Sequence, residues 1–178
     1  MGMTGELSVS DSLDILALHA SAVYVDNKAM IFLGPSGTGK STICDLLSAH
    51  AQTLALDAVY LVSHADGGWA VVKGDGRAHG RSLSLDQATA LYSVPLRMIF
   101  RLYQAPAPRL EPLDRLEVGR YLTDAFFEIV RQREYDFETK RCAFSSLSAI
   151  ARTVPGYEFY FDLTPRTLET LGAQVGLW

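Results

Sequence analysis

Two hydrophobic periodicities alternate along this chain. Apolar or alternating runs typical of strands occupy residues 20–25, 29–33, 53–56, 59–62, 69–73, 96–103 and 157–163. Apolar residues at helical spacing occupy 42–50, 115–132 and 137–153, and the pair Thr164-Pro165 marks the start of another helix. Asp114 is placed to cap the helix at 115–132, and a short helix is expected from Asp86. Because strands and helices interleave, the pattern predicts an α/β fold.

The run at 29–33 is apolar at every position, which predicts a strand buried on both faces. Asp26, Asn27 and Lys28 have turn chemistry and join this run to the strand before it. The run ends directly at a glycine-rich segment, and helical periodicity resumes after that segment. The sequence therefore predicts a strand, a tight loop and a helix in immediate succession.

The glycine-rich segment has the spacing G-x-x-x-x-G-K-[ST], which is a phosphate-binding pattern. Its residues are Gly34, Pro35, Ser36, Gly37, Thr38, Gly39, Lys40 and Ser41, and Thr42 follows in the helix. Glycines let the backbone present its N–H groups to an anion, and the positive end of the helix dipole faces the same anion. Lys40 is expected to reach the β- and γ-phosphates, and the Ser41 hydroxyl to enter the coordination sphere of Mg²⁺. The pattern predicts a nucleoside triphosphate with Mg²⁺ as ligand, against the alternative of a glycine-rich turn that matches by chance. ATP is the expected triphosphate, but without a base-reading motif the sequence leaves other triphosphates open.

Phosphoryl transfer also needs a carboxylate near the metal and, for an alcohol acceptor, a group that takes the hydroxyl proton. Asp57 interrupts the strand-like runs at 53–56 and 59–62, where an acidic residue is unfavourable in a central sheet. We assign Asp57 both the catalytic and the metal-binding role. The alternative is a loop aspartate that caps a turn.

Length and composition narrow the class of protein. The 178 residues suit one domain over 1–178, with residues 1–10 as a flexible leader. A net charge of −4 lacks the basic character of nucleic-acid-binding proteins. Neither a signal peptide nor a run of about 18 apolar residues is found, so a cytoplasmic protein without membrane contact is expected. Cys44 and Cys142 lack metal-binding spacing and are expected to be buried thiols in helices.

The stretch LHASAVYVDNKAMIFLGPSGTGKSTICDLL, followed by LALDAVYLV, resembles the catalytic domain of HPr kinase/phosphorylase, which shares its fold with phosphoenolpyruvate carboxykinase. The common order is a histidine before a strand, a short turn, the loop strand, and an acidic motif one helix and one strand later. The segments PLRMIFRLYQAPAPRLEPL and TVPGYEFYFDL look like those of short, stand-alone members. The resemblance implies a mixed sheet with flanking helices, and a kinase that uses ATP and Mg²⁺ to phosphorylate a serine on a protein.

The resemblance also implies roles for single residues. Lys40 and Ser41 keep their phosphate and metal roles, and Asp57 falls on the acidic motif. His19 falls on the histidine that lies close to the active site, although a capping or partly buried histidine fits its position as well. The family's acidic motif is Asp-Asp, whereas the neighbours of Asp57 are Leu and Ala, so one carboxylate is missing.

An arginine could neutralise the charge that develops on the transferred group. The candidates are Arg77, Arg81, Arg101 and Arg109, and each also fits a solvated surface role. Arg77 with Gly80, or Arg81, are the nearby matches to the family's arginine-glycine signature.

Three functions remain open at this point. The leading one is an ATP-dependent kinase that phosphorylates a serine of a protein or peptide. The lone Asp57 also motivates a regulator that binds nucleotide without transferring phosphate. A small-molecule kinase or a nucleotide hydrolase would keep the loop and need no protein partner. The kinases of this resemblance assemble into rings, but the sequence leaves a homo-oligomer and the identity of the acceptor open.

Overall fold

The computed structural model of this protein describes residues 15–63, 67–73, 93–132 and 135–176. The strands in these ranges are β1 (Ile15–Leu18), β2 (Ser21–Val25), β3 (Lys28–Leu33), β4 (Gln52–Ala55), β5 (Val59–Ser63), β6 (Trp69–Val72), β7 (Ser93–Gln104), β8 (Arg109–Pro112) and β9 (Gly156–Phe161). The helices are α1 (Lys40–Leu47), α2 (Arg115–Val130), α3 (Phe137–Thr153) and α4 (Pro165–Val175). The leader at 1–10, the short helix expected from Asp86, and Arg77, Gly80 and Arg81 lie outside the described residues.

The strands form one mixed sheet. Its order is β1-β5-β6-β7-β3-β2-β4, and β9 pairs with both β7 and β8. The β3–β7 and β7–β9 pairs are parallel, and the remaining pairs are antiparallel. Since parallel strands end at the same side of a sheet, β3, β7 and β9 share what we call the carboxyl edge. Loops that follow parallel strands at such an edge form the ligand sites of many α/β proteins.

Helices cover both faces of this sheet. On one face, α1 and α4 pack against an aromatic cluster; its largest members are Phe32, Phe100, Phe159 and Phe161, with Ile43, Leu47 and Leu171 from the helices. On the other face, α2 and α3 pack against Ile31, Leu33 and Ile99 through residues such as Val118, Leu122 and Leu147. Residues 29–33 of β3 are buried and supply both clusters, which confirms the strand expected to be buried on both faces. The α/β class is likewise confirmed, with a mixed sheet between helices.

Local chemistry explains two of the predicted boundaries. Asp26 and Asn27 have φ values of 48° and 57° between β2 and β3, the backbone of a type I′ hairpin turn. Asp114 caps α2 as predicted: its carboxylate accepts from the backbone N–H groups of Leu116 and Glu117 at 2.8 and 2.9 Å, and the Glu117 side chain accepts in return from the Asp114 N–H.

The structure corrects four expectations. No strand was expected at β1, which pairs with β5. The proline-containing stretch expected to be an exposed connection contains β8, an exposed strand paired with β9. Helix α1 begins at Lys40 and ends at Leu47, not at 42 and 50. Cys44 is buried, and burial raises the pKa of its thiol to about 12, but Cys142 is only half-buried.

No helix among the described residues is both long and apolar enough to cross a bilayer.

Candidate functional site

The glycine loop leaves β3 at the carboxyl edge and enters α1 at Lys40. Gly37 and Gly39 have φ values of 84° and 96°, a region that side chains rarely adopt, so glycine is required at both turns. Thr38 braces the loop, because its N–H and its hydroxyl both donate to Pro35 O, at 3.2 and 2.7 Å. Gly39 is the N-cap residue of α1, and no side chain caps this end of the helix. The exposed outer part of the loop, residues 35–37, therefore presents backbone to solvent.

Lys40 is buried, with 6% of its surface exposed, although it carries an ammonium group. Its Nζ donates to Gly34 O at 2.7 Å and to Pro35 O at 3.2 Å, so the side chain folds back along the loop. Burial lowers the pKa of this ammonium, the carboxylates of Glu128 and Asp57 act to raise it, and Arg101 lowers it further. A cation held in a desolvated position beside a glycine turn is suited to bind an anion strongly.

His19 lies between β1 and β2, and it connects Lys40 to α2. Its Nε2 is 3.0 Å from Lys40 Nζ and 3.3 Å from Glu128 Oε2. Because both contacts use one ring nitrogen, Nε2 accepts from Lys40 when it carries no hydrogen and donates to Glu128 when it carries one. The His19 backbone N–H also donates to Ala125 O at 3.0 Å, which anchors this segment on α2. His19 is thus half-buried and in direct contact with the loop lysine.

Asp57 occupies a strained turn between β4 and β5. The Ala58 N–H donates to Leu56 O at 2.8 Å across it, and Asp57 itself has a φ of 65°. Three-residue turns with positive φ at the centre are rare, and such outliers concentrate at functional sites. The side chain is exposed, and its negative charge acts on Lys40. The structure therefore places the Asp57 carboxylate close enough to Lys40 for its charge to act on the ammonium group.

Among the arginine candidates, the structure places Arg101 near Lys40. It lies on β7 opposite Leu33, the last residue of β3. Its guanidinium stands 4.7 Å from the ring of Tyr121 and 5.7 Å from that of Tyr103, and its buried Nε has no hydrogen-bond partner among the described residues. Arg109, in contrast, pairs with Glu111 at 2.7 Å on the exposed strand β8 and stacks over Tyr160, the surface role that the sequence left open.

A hydrogen-bonded set of aromatic side chains frames Arg101. Tyr103 Oη and Tyr121 Oη are 3.0 Å apart, and Tyr121 donates to Glu158 Oε1 at 3.1 Å. Desolvation raises the pKa of Tyr121, with its bonds to Tyr103 and Glu158 acting the same way, so its hydroxyl stays protonated and able to donate. Two tyrosine rings contact the Arg101 guanidinium, and none of the carboxylates in the described ranges pairs with it, so its charge is available to a ligand.

Sequence reasoning missed Glu128 and the surroundings of Arg101. Glu128 is an ordinary polar position in the amphipathic pattern of α2, and nothing in its local sequence marks it. Only the packing of α2 beside β1 brings its carboxylate to His19. A carboxylate other than Asp57 thus contacts His19 and acts on Lys40 from a helix that is distant in the sequence.

Ser41 and Asp57 are the residues expected to bind Mg²⁺. Ser41 and Asp57 are both exposed, one in the first turn of α1 and the other at the turn whose charge acts on Lys40. No group of three or more His, Cys, Asp or Glu side chains in the described ranges is arranged to hold a metal ion alone. Mg²⁺ in nucleotide sites usually takes one or two protein oxygens, with phosphate oxygens and waters completing the octahedron. The two expected oxygens, from Ser41 and Asp57, therefore match the number of protein ligands that such a magnesium usually takes.

Fold and site together define a mixed α/β protein with a glycine loop and a charged cluster at its carboxyl edge. The family model described as SynChlorMet cassette protein ScmC matches residues 7–175, and the chain belongs to this family. No curated protein matches the chain. Among solved structures, the Hpr(Ser) kinase/phosphatase from Coxiella burnetii is similar with a TM-score of 0.48 and 13% identity, over 90% of this chain and 96% of that one.

Proposed function

We propose that this protein is an ATP- and Mg²⁺-dependent kinase that phosphorylates a serine of a protein or peptide. The observation that carries the proposal is the buried Lys40 ammonium, held inside the glycine loop between the charges of Arg101 and two carboxylates. The serine acceptor rests on the sequence resemblance to the HPr kinase family. That resemblance covers the loop, the histidine and the acidic motif.

The roles of the residues follow from charge and position. The backbone N–H groups of the loop, which all residues of 34–42 except Pro35 possess, and the Lys40 ammonium hold the β- and γ-phosphates. When bound, Mg²⁺ neutralises phosphate charge, with Ser41 and Asp57 as its protein ligands. The exposed Asp57 carboxylate accepts the proton of the serine hydroxyl. At the same time the serine oxygen bonds to the γ-phosphorus, and the bond between the γ-phosphorus and the bridging oxygen of the β-phosphate breaks. The products are ADP and a phosphoserine, and Arg101 neutralises the group in transfer.

The kinase is tested by incubating the purified protein with γ-labelled ATP and Mg²⁺, together with proteins and peptides encoded beside it, and reading phosphoserine by mass spectrometry. Phosphate on a partner serine is the expected result. Tight ATP binding without transfer to any partner would favour the nucleotide-binding regulator. ATP turnover that rises with small alcohols or water and is indifferent to proteins would favour the small-molecule kinase or the hydrolase.

Replacing Arg101 by glutamine is expected to slow phosphoryl transfer at least about 100-fold, because an arginine that neutralises the transferred group contributes most in the transition state. ATP affinity should fall by less than about tenfold. Single-turnover transfer and a calorimetric titration separate the two effects. Arg109→Gln is the matched control, since Arg109 is paired with Glu111 at the surface. Equal effects of the two variants on transfer would remove Arg101 from the mechanism.

Replacing Glu128 by glutamine is expected to move the alkaline limit of ATP binding to lower pH. The Glu128 carboxylate raises the pKa of Lys40, so its removal lets Lys40 lose its proton earlier as the pH rises. ATP affinity measured across pH 6 to about 10 gives the midpoint of that loss. The control is Glu138→Gln, an exposed residue on α3. An unshifted midpoint would show that Glu128 does not act on the loop lysine.

A further inference from the structure

A cavity of about 450 Å³ adjoins the glycine loop on the face covered by α1 and α4. Its lining residues are Thr42, Gln104, Ala105, Phe161, Asp162 and Leu163. They come from the first turn of α1 and from the residues at the ends of β7 and β9, so the cavity opens at the carboxyl edge. Its volume falls in the range of about 300–1,000 Å³ that small-molecule sites occupy.

The cavity and the charged cluster lie on different sides of the loop. Lys40 contacts His19 and is influenced by Glu128 of α2, whereas the cavity is bounded by Thr42 and the residues before α4. Gly39 stands between them. A Cβ at Gly39 would lie 2.8 Å from Phe161 Cζ and 3.5 Å from Gln104 Nε2, so the loop backbone runs along the cavity wall with no side chain between. A ligand long enough to span the loop would reach Lys40 at one end and the cavity at the other.

The lining combines apolar surface with a few polar groups. Phe161 is 1% exposed and forms part of the floor, while Leu163 is 69% exposed and leaves a large apolar side chain uncovered. Gln104 offers an amide that both donates and accepts. Asp162 Oδ1 accepts from Thr164 N, Thr164 Oγ1 and Thr167 Oγ1, at 2.9, 2.6 and 2.9 Å.

These bonds fix the Asp162 carboxylate in place. They also hold its pKa below the ordinary value, so it is ionised at neutral pH. All three bonds engage Oδ1, which leaves Oδ2 able to accept from hydroxyl groups. An apolar platform, an amide and a fixed carboxylate together suit a flat heterocycle attached to a sugar.

We infer that this cavity holds the base and ribose of the nucleoside triphosphate whose phosphates occupy the glycine loop. The inference rests on the proposed function, and it adds the part of the ligand that the loop motif does not specify. The base lies against Leu163 with the Gln104 amide at its edge. The ribose hydroxyls donate to Asp162 Oδ2. The triphosphate then passes Thr42 and Gly39 and ends with its γ-phosphate beside Lys40 and Arg101.

The test compares ATP with inorganic tripolyphosphate, each with Mg²⁺, in calorimetric titrations of the whole protein. We expect ATP to bind at least about tenfold more tightly than tripolyphosphate, and Leu163→Ala to weaken ATP about fivefold without changing tripolyphosphate. Gln104→Ala, at a second exposed position, should act in the same direction. Leu116→Ala is the matched control, because Leu116 is an 84% exposed leucine on α2 and should change neither affinity.

The outcomes separate the inference from the function on which it rests. Equal affinities for ATP and tripolyphosphate, both unaffected by Leu163→Ala, would overturn the nucleoside site while leaving the phosphate loop intact. Binding of neither ligand to the wild-type protein would overturn the loop assignment and the nucleoside site together. Intermolecular NOEs between base or ribose protons and the Leu163 methyl groups would show the expected contact directly.

Discussion

Lys40→Ala is expected to weaken binding of ATP at least about 100-fold, on the order of 3 kcal/mol, because it removes the charge-assisted bonds from a desolvated ammonium to phosphate oxygens. The buried position of Lys40 makes this loss larger than that of a surface lysine. A calorimetric titration with ATP and Mg²⁺ measures it. Lys28→Ala, at the start of β3, is the control, and ATP affinity unchanged in Lys40→Ala would refute the phosphate assignment of the loop.

Lys40→Ala should also leave the fold intact, so that a lost ligand contact can be distinguished from unfolding. Burial lowers the pKa of Lys40 in the folded state below its unfolded value. The Lys40 charge therefore opposes folding at neutral pH. The free energy of unfolding rises with pH between the Lys40 pKa of the folded state and that of the unfolded state. Lys40→Met keeps the aliphatic stem and should stay within about 1 kcal/mol of the wild-type free energy of unfolding. A cooperative thermal transition together with lost ATP binding is the expected combination.

The loop and its flanking elements could be predicted because their chemistry is local. Residues 29–33 are apolar at every position, and glycines stand at the three loop positions where φ is positive, Gly34, Gly37 and Gly39. The cap at Asp114 is likewise encoded within four residues. Each of these features depends on side chains close in sequence, so the local amino-acid sequence is enough to predict them.

The missed strands are edge features. β8 has the sequence Arg-Leu-Glu-Pro, with two charges and a proline, which is unlike a central strand. It pairs only with β9 in the described part of the sheet, and edge strands tolerate proline and charge because one side needs no partner. β1 has four residues and pairs with β5, more than 40 residues later in the chain. Such pairings are decided by topology, not by local propensity.

The charged cluster required the tertiary structure. Lys40 and Asp57 follow from motifs, but Glu128 and Arg101 reach them only because α2 packs beside β1 and β7 pairs with β3. The cavity beside the glycine loop is similar, since Thr42, Gln104 and Leu163 come from three separate segments. A motif identifies where phosphate binds, whereas the residues that recognise the rest of a ligand are assembled by the fold.

Asp57→Asn should retain ATP binding within about tenfold and lose phosphoryl transfer by roughly 100- to 10,000-fold, the usual contribution of a general base. Asparagine is the informative replacement because it also tolerates the positive φ of 65° at this turn, so the backbone between β4 and β5 can stay unchanged. With alanine, a loss of phosphoryl transfer could come either from the missing carboxylate or from a strained backbone. Asp45→Asn, an exposed aspartate on α1, is the control. Transfer that persists in Asp57→Asn would mean that another group accepts the proton.

The reverse substitution separates a weakened kinase from a regulator. Ala58→Asp restores an adjacent acidic pair beside Asp57, of the kind that the HPr kinase resemblance implies. If the site transfers phosphate with too little negative charge, the added carboxylate should raise the rate, because it provides a second metal ligand or proton acceptor. If no acceptor docks, the rate should stay at background, since no carboxylate can substitute for a missing substrate. Because Glu128 already supplies a carboxylate near Lys40, we expect measurable transfer in the wild-type protein and a further increase in Ala58→Asp.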